Sequence, residues 1–163
     1  ASDDDCGLLS YESATYAIDE ANYLFFGKSY NTDLDPDTRY IKMLGRKIYE
    51  FALSNVPTAM KSCLDKSGLQ IQDVKKILIH QANEKMDEAI VNRFYKLYDA
   101  KMPKDVMPMT ITNLGNSSVA TVPTLLDMLI NGKIENQEIH KGDIMIFASV
   151  GAGMNINAFV YRY

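Results

Sequence analysis

His80, Asn113, Asn116 and the run Gly151-Ala152-Gly153 are the positions where residue type and setting could do chemistry. An imidazole changes protonation state near neutral pH, and a carboxamide offers hydrogen-bond donors across the physiological range. His80 closes the apolar run Ile77-Leu78-Ile79, and the two asparagines lie on either side of Gly115 in a polar stretch. Each also has a plain structural explanation. A His at a strand end can be hydrogen-bonded scaffolding, and Asn in a turn can satisfy backbone groups or tolerate left-handed geometry. Gly151-Ala152-Gly153 lacks the third Gly of a dinucleotide fingerprint and precedes a β-rich run rather than a helix, so it reads as a hairpin turn. What unites the three loops is position: each lies at or beyond the carboxyl end of a predicted strand, where open α/β sheets place their ligand crevice.

The elements that must position these loops follow from periodicity. Residues 6–26 mix β-branched, aromatic and small side chains without a helical period, which predicts extended segments with turns near Asp19 and Gly27. Asn31, Asp33, Asp35, Pro36 and Asp37 supply loop chemistry, and a short extended piece follows at 40–43. From Ile48 to Leu64 apolar residues recur at helical spacing up to Gly68, with Pro57 either kinking one helix or opening a second. Residues 76–80 read as a buried strand. A helix over 83–98 carries the stripe Met86, Ile90, Phe94 and Leu97, with Glu84, Asp87 and Glu88 early, where the helix dipole favours acids. Residues 107–116 read as extended and then turn-like, and 119–131 as a helix ending at Gly132. Residues 143–148 and 155–163 predict a closing antiparallel hairpin. This order gives an α/β fold, helices layered around a mixed sheet.

Composition narrows the functional classes. With 163 residues one domain is the natural expectation, and a net charge of -4 with interspersed basic residues leaves no footprint for nucleic acid. No apolar run approaches the roughly 20 residues of a membrane span, so a soluble, unexported protein without a membrane partner is expected. Cys6 and Cys63 have neither metal-type spacing nor a disulfide framework, which suits a cytoplasmic setting and predicts no metal. Ala1 to Asp5 begin with an acidic cluster and no initiator Met, and read as the edge of an excised segment.

His80-Gln81-Ala82-Asn83 at a strand-to-helix junction resembles the His signature of the β-ketoacyl-acyl-carrier-protein synthase III (ketosynthase III) family in the thiolase-like superfamily. The run Gly115-Asn116-Ser117-Ser118-Val119-Ala120-Thr121-Val122-Pro123 looks like that family's Asn loop and following helix. Gly142-Asp143 through Gly151-Ala152-Gly153 is similar to its closing strands, and residues 43–52 to its lead-in to the long helix. Four such motifs in order carry the resemblance over 40–163. It implies two parts: 1–39, extended segments and a loop leading in from an absent N-terminal half, and 40–163, a C-terminal thiolase-like domain.

The resemblance implies an acyltransferase of fatty acid biosynthesis. In such an enzyme a Cys of the N-terminal half takes the acyl group of an acyl-coenzyme A. The acyl group then condenses with malonyl-acyl-carrier protein as carbon dioxide leaves. His80 and Asn116 would be the catalytic pair that holds the malonyl thioester oxygen. Backbone N–H groups of Gly151, Ala152 and Gly153 would serve the acyl oxyanion, with Ala152 standing where Gly is more usual. Asn83 would contact the pantetheine arm, and Lys85 would attract an acidic carrier protein or simply face solvent. No cofactor is implied, and the complete protein would be a homodimer. This segment alone is expected to be inactive: Cys63 lies near a helix C-terminus and Cys6 beside Asp3, Asp4 and Asp5, settings hostile to a thiolate. Other thiolase-like condensing enzymes, such as chalcone-synthase-like, hydroxymethylglutaryl-coenzyme A synthase-like or secondary-metabolite members, stay open. So does a non-catalytic carrier-protein-binding domain.

Overall fold

Strand β4 (Val74–Ile79) accounts for the architecture, because its apolar residues are buried on both faces. A strand with no polar face must be covered on both sides. In the computed structural model, which describes residues 6–163, it is. Ile77 and Ile79 turn toward one core, packed with α1 (Gly45–Ser67) and α2 (Glu84–Lys96), while Leu78 joins a second core with Leu125 and Leu129 of α4 (Thr121–Ile130). Helices therefore lie on both faces of one sheet, as the expected α/β layering requires. The acidic start, residues 1–5, lies outside the described residues.

The sheet has the order β1-β6-β5-β4, with β1 (Gly7–Thr15), β5 (Ile144–Gly151) and β6 (Asn155–Arg162). β4 and β5 run parallel, whereas β5–β6 and β6–β1 are antiparallel, so the sheet is mixed. The β5–β6 pair is the expected closing hairpin, and Phe147 stacks on Phe159 across it at 4.5 Å. β1 is integral to this sheet, although it lies within residues 1–39. A separate two-stranded sheet pairs β2 (Leu24–Lys28) with β3 (Arg39–Met43).

Several expectations change in detail. Gly27 lies inside β2 rather than in a turn. Pro57 is inside one continuous helix, buried on its core face, and opens no second helix. Within 107–116 the chain forms one helical turn, α3 (Ile111–Leu114), and α4 starts at Thr121 after a 3-10 turn at Ser118–Ala120. The buried face of α2 is Met86, Asp87, Ile90, Val91, Phe94 and Tyr95, whereas Leu97 caps the helix and is exposed. Among the described residues no helix is long and apolar enough to cross a membrane.

Candidate active site

The parallel pairing of β4 with β5 determines where His80 stands. Its main-chain N–H continues the ladder one step past β4, donating to the Ala148 carbonyl at 3.0 Å. The imidazole thus emerges at the carboxyl end of a parallel strand, at the rim where such sheets open. Burial pushes its pKa below the ordinary 6.5, against a smaller upward pull from the main chain of Ser118. An upward pull on an imidazole comes from an acceptor, so the group facing it is the Ser118 carbonyl. At neutral pH the ring is uncharged.

The same residue meets Asn116. The Ser118 N–H donates to Asn116 Oδ1 at 2.9 Å, closing a local turn and leaving the two amide hydrogens of Asn116 as donors on an exposed loop. Gly115 precedes it at φ 67°, in the left-handed region that favours glycine, and Ser118 itself is at φ 54°. His80 and Asn116, from different elements, therefore both face one residue. Asn113 takes a humbler part: its main-chain N–H donates to Thr110 within the turn of α3.

The third loop stands on the same rim. Gly151 lies three positions beyond Ala148, the acceptor of the His80 bond, about 10 Å along β5. Gly151 has extended backbone and open space where a side chain would project. Gly153, at φ 72° and followed by Met154 at φ 52°, makes the turn. Asn155 Nδ2 donates to the Ala152 carbonyl at 2.7 Å, and the Tyr16 N–H donates to the Met154 carbonyl at 3.1 Å, fixing the turn from both sides.

The residues after His80 build the junction. Asn83 is the N-cap of α2, its Oδ1 accepting from the Met86 N–H at 3.2 Å, while Lys85 is exposed on the first turn. Gln81 is fully buried and reaches across to the segment that leads into the Asn loop. Asp87, expected with Glu84 and Glu88 among the early acids that the helix dipole favours, faces inward, unlike those two. It is fully buried, and neither carboxylate oxygen has a well-formed hydrogen bond, although the main chain of Ala82 and Asn83 is near. Burial pushes its pKa up to about 7, with the Ala82 and Asn83 main-chain groups pulling less strongly the other way. The spacing was available in the sequence: Asp87 stands one turn before Val91 and two before Tyr95, on the inward side. Gln81 and Ser118 left no comparable signal, because their roles are made by contacts distant in sequence.

Cys63 is buried, and burial pushes its thiol up, away from thiolate. Ser10 Oγ lies 3.4 Å from its sulfur, and the site loops are not among its partners.

The comparisons with known proteins give the family and the fold. Residues 64–163, more than half of the chain, match the model of the 3-oxoacyl-[acyl-carrier-protein (ACP)] synthase III C-terminal family. The chain is 32% identical over 146 residues to the beta-ketoacyl-[acyl-carrier-protein] synthase III of Lactobacillus helveticus, covering 86% of this chain and 42% of that protein. With that of Porphyra umbilicalis it shares 34% over 130 residues, 78% of this chain and 37% of the relative. The chain thus spans less than half the length of these relatives. The crystal structure of 3-oxoacyl-[acyl-carrier-protein] synthase III from Aquifex aeolicus has the same fold, with a TM-score of 0.82 at 22% identity over 100% of this chain and 46% of that one.

Proposed function

This chain belongs to the 3-oxoacyl-[acyl-carrier-protein] synthase III C-terminal family, and on that premise we propose that it supplies the decarboxylating half of a condensing site. The complete protein transfers an acyl group from acyl-coenzyme A to a Cys of its N-terminal half. It then condenses that group with malonyl-acyl-carrier protein, at the start of fatty acid synthesis. The observation that carries this reading is that the imidazole of His80, at the carboxyl end of parallel strands, faces the main chain of Ser118, in the turn that Asn116 closes.

The chemistry follows from charge. As the malonyl carbon–carbon bond breaks, its electron pair moves toward the thioester carbonyl, and negative charge grows on that oxygen as carbon dioxide departs. Donors aimed at that oxygen stabilise the transition state more than the ground state. Asn116 offers its amide hydrogens. The imidazole of His80 offers a ring N–H, for which a charged enolate oxygen competes better than the neutral Ser118 carbonyl. The enolate carbon then attacks the acyl-Cys thioester, releasing the Cys thiolate and leaving a β-ketoacyl thioester on the carrier. Main-chain N–H groups of the Gly151–Gly153 turn stabilise the oxyanion of that second step. Asn83 and Lys85 lie on the carrier approach, as contacts for the pantetheine arm and the acidic carrier.

In this reading residues 1–39 lead in from the N-terminal half, 40–163 form the thiolase-like domain, and the complete protein is a cytoplasmic homodimer. The test is carbon dioxide release from malonyl-acyl-carrier protein by the complete protein, followed by β-ketoacyl product when acyl-coenzyme A is added. Neither reaction occurring would overturn the proposal. The pH profile adds a sign. The neutral imidazole is the competent form and its pKa is depressed, so decarboxylation falls only as pH drops below 6.5. An acid limb belonging to His80 centred above 6.5 would contradict the assignment.

Residues 1–163 by themselves are expected to give no condensation product, because Cys63 is buried with its thiol held protonated. Mass spectrometry after incubation with acyl-coenzyme A and malonyl-carrier protein checks this. Acylation of Cys6 or Cys63 that proceeds to product would refute it.

A further inference from the structure

We infer that Gln81 is a positioning residue that sets the separation between His80 and the Asn116 loop, an assignment that rests on the proposed condensing reaction. Its side chain is fully buried, and both ends of the carboxamide are used. Nε2 donates to the Pro108 carbonyl at 2.8 Å. Oε1 accepts from the Thr110 N–H at 2.9 Å and from the Thr110 hydroxyl at 3.2 Å. These three bonds cross the gap between the residue directly after His80 and the residue directly before α3, six positions ahead of Asn116.

The geometry makes this a ruler rather than a general brace. His80 is fixed along the sheet by its bond to Ala148, so Gln81 has one main-chain anchor in a parallel ladder. From Thr110 the chain runs through one turn of helix and Gly115 to Asn116 and Ser118, held within itself by Asn113, Leu114 and Gly115 donating to Thr110 and Ile111. A displacement at Thr110 thus carries the whole turn with it. Neither Pro108 nor Thr110 can be satisfied by water in a buried setting, so the clamp is costly to open. A carboxamide suits the task because it presents a donor and an acceptor in one rigid plane, which no apolar residue and no ionised carboxylate can do.

The test compares the complete enzyme with Gln81→Leu and Gln81→Glu, measuring decarboxylation, acyl transfer to the Cys, and the His80 ring titration by NMR. Removing the clamp lets the two donors drift, and a misplacement of about 1 Å lowers the rate about 10²-fold. Gln81→Leu is therefore expected to lower the decarboxylation kcat by that order while acyl transfer stays within about twofold. The His80 pKa should move back toward 6.5, because the burial that water entry relieves is a larger effect than the upward pull lost as the Ser118 loop withdraws. Gln81→Glu keeps the acceptor for Thr110 and should retain more decarboxylation than Gln81→Leu, and, as a fraction of the unsubstituted enzyme's rate at the same pH, most of all at low pH where a protonated carboxyl can still donate to Pro108. Should Gln81→Leu fail to fold, Gln81→Glu carries the test through a decarboxylation rate that, relative to the unsubstituted enzyme at the same pH, falls as pH rises. Parallel loss of both half-reactions, wild-type decarboxylation in Gln81→Glu at every pH, or an unmoved His80 titration would each overturn the assignment. If the unsubstituted enzyme proves unable to decarboxylate, the condensing proposal fails by itself, and the His80 titration still decides whether Gln81 holds the loop.

Discussion

Replacing His80 or Asn116 by Ala in the complete enzyme is expected to lower malonyl decarboxylation about 10²- to 10³-fold while acyl transfer to the Cys continues. Each substitution removes one donor from an oxygen that acquires charge only as carbon dioxide leaves, a loss of about 3 kcal/mol of transition-state stabilisation. The acyl-transfer step does not develop charge at that oxygen, so it is spared. Because both donors serve one atom, the double variant should lose less than the product of the two single losses. Carbon dioxide release and mass spectrometry of the acyl-enzyme separate the two half-reactions. Unchanged decarboxylation in both single variants would remove these residues from the mechanism.

The second large effect is on stability, and it concerns Asp87. Its carboxyl is pushed up to about 7 by burial, while in the unfolded chain it ionises near the ordinary 3.8. Between those values the unfolded chain releases a proton that the folded chain keeps, so stability falls as pH rises through the window. The full difference is on the order of 4 kcal/mol once pH exceeds both values. Asp87→Asn removes the titration. The variant is expected to gain on the unsubstituted chain between pH 5 and pH 8, as read from urea midpoints at the two pH values. An equal difference between the two proteins at both pH values would show that Asp87 is not a buried acid.

How much of this was legible in the sequence depended on the range of the contact. β4 was readable because a strand buried on both faces leaves an unbroken apolar run, and α2 because its apolar stripe recurs at helical spacing. The closing hairpin was readable because two β-rich runs flank a Gly-containing turn. The membership of β1 in the main sheet was not, since its partner β6 lies at the other end of the chain and its own exposed face carries Leu8 and Tyr11. The single turn of α3 was also hidden, because four residues are too few to show a period.

The site divides along the same line. His80 and Asn116 are legible from residue type, from position at strand ends and from resemblance to a known signature, and in the fold both face Ser118. The residue that ties the Asn116 loop to the strand end, and the one acid of α2 that is buried, are not legible in the same way. Gln81 stands 29 positions from Thr110, so only the folded chain reveals the clamp. Asp87 was grouped with Glu84 and Glu88 because all three sit early in α2, yet the helix turns only Asp87 inward. Sequence pattern thus pointed to the groups that do chemistry more readily than to those that keep them in register.

The most direct measurement is a crystal structure of the complete enzyme with a non-decarboxylating malonyl thioester analogue bound. The thioester oxygen is expected within hydrogen-bond distance, about 3 Å, of both a His80 ring nitrogen and Asn116 Nδ2. An analogue seated with that oxygen beyond the reach of either side chain would contradict the account.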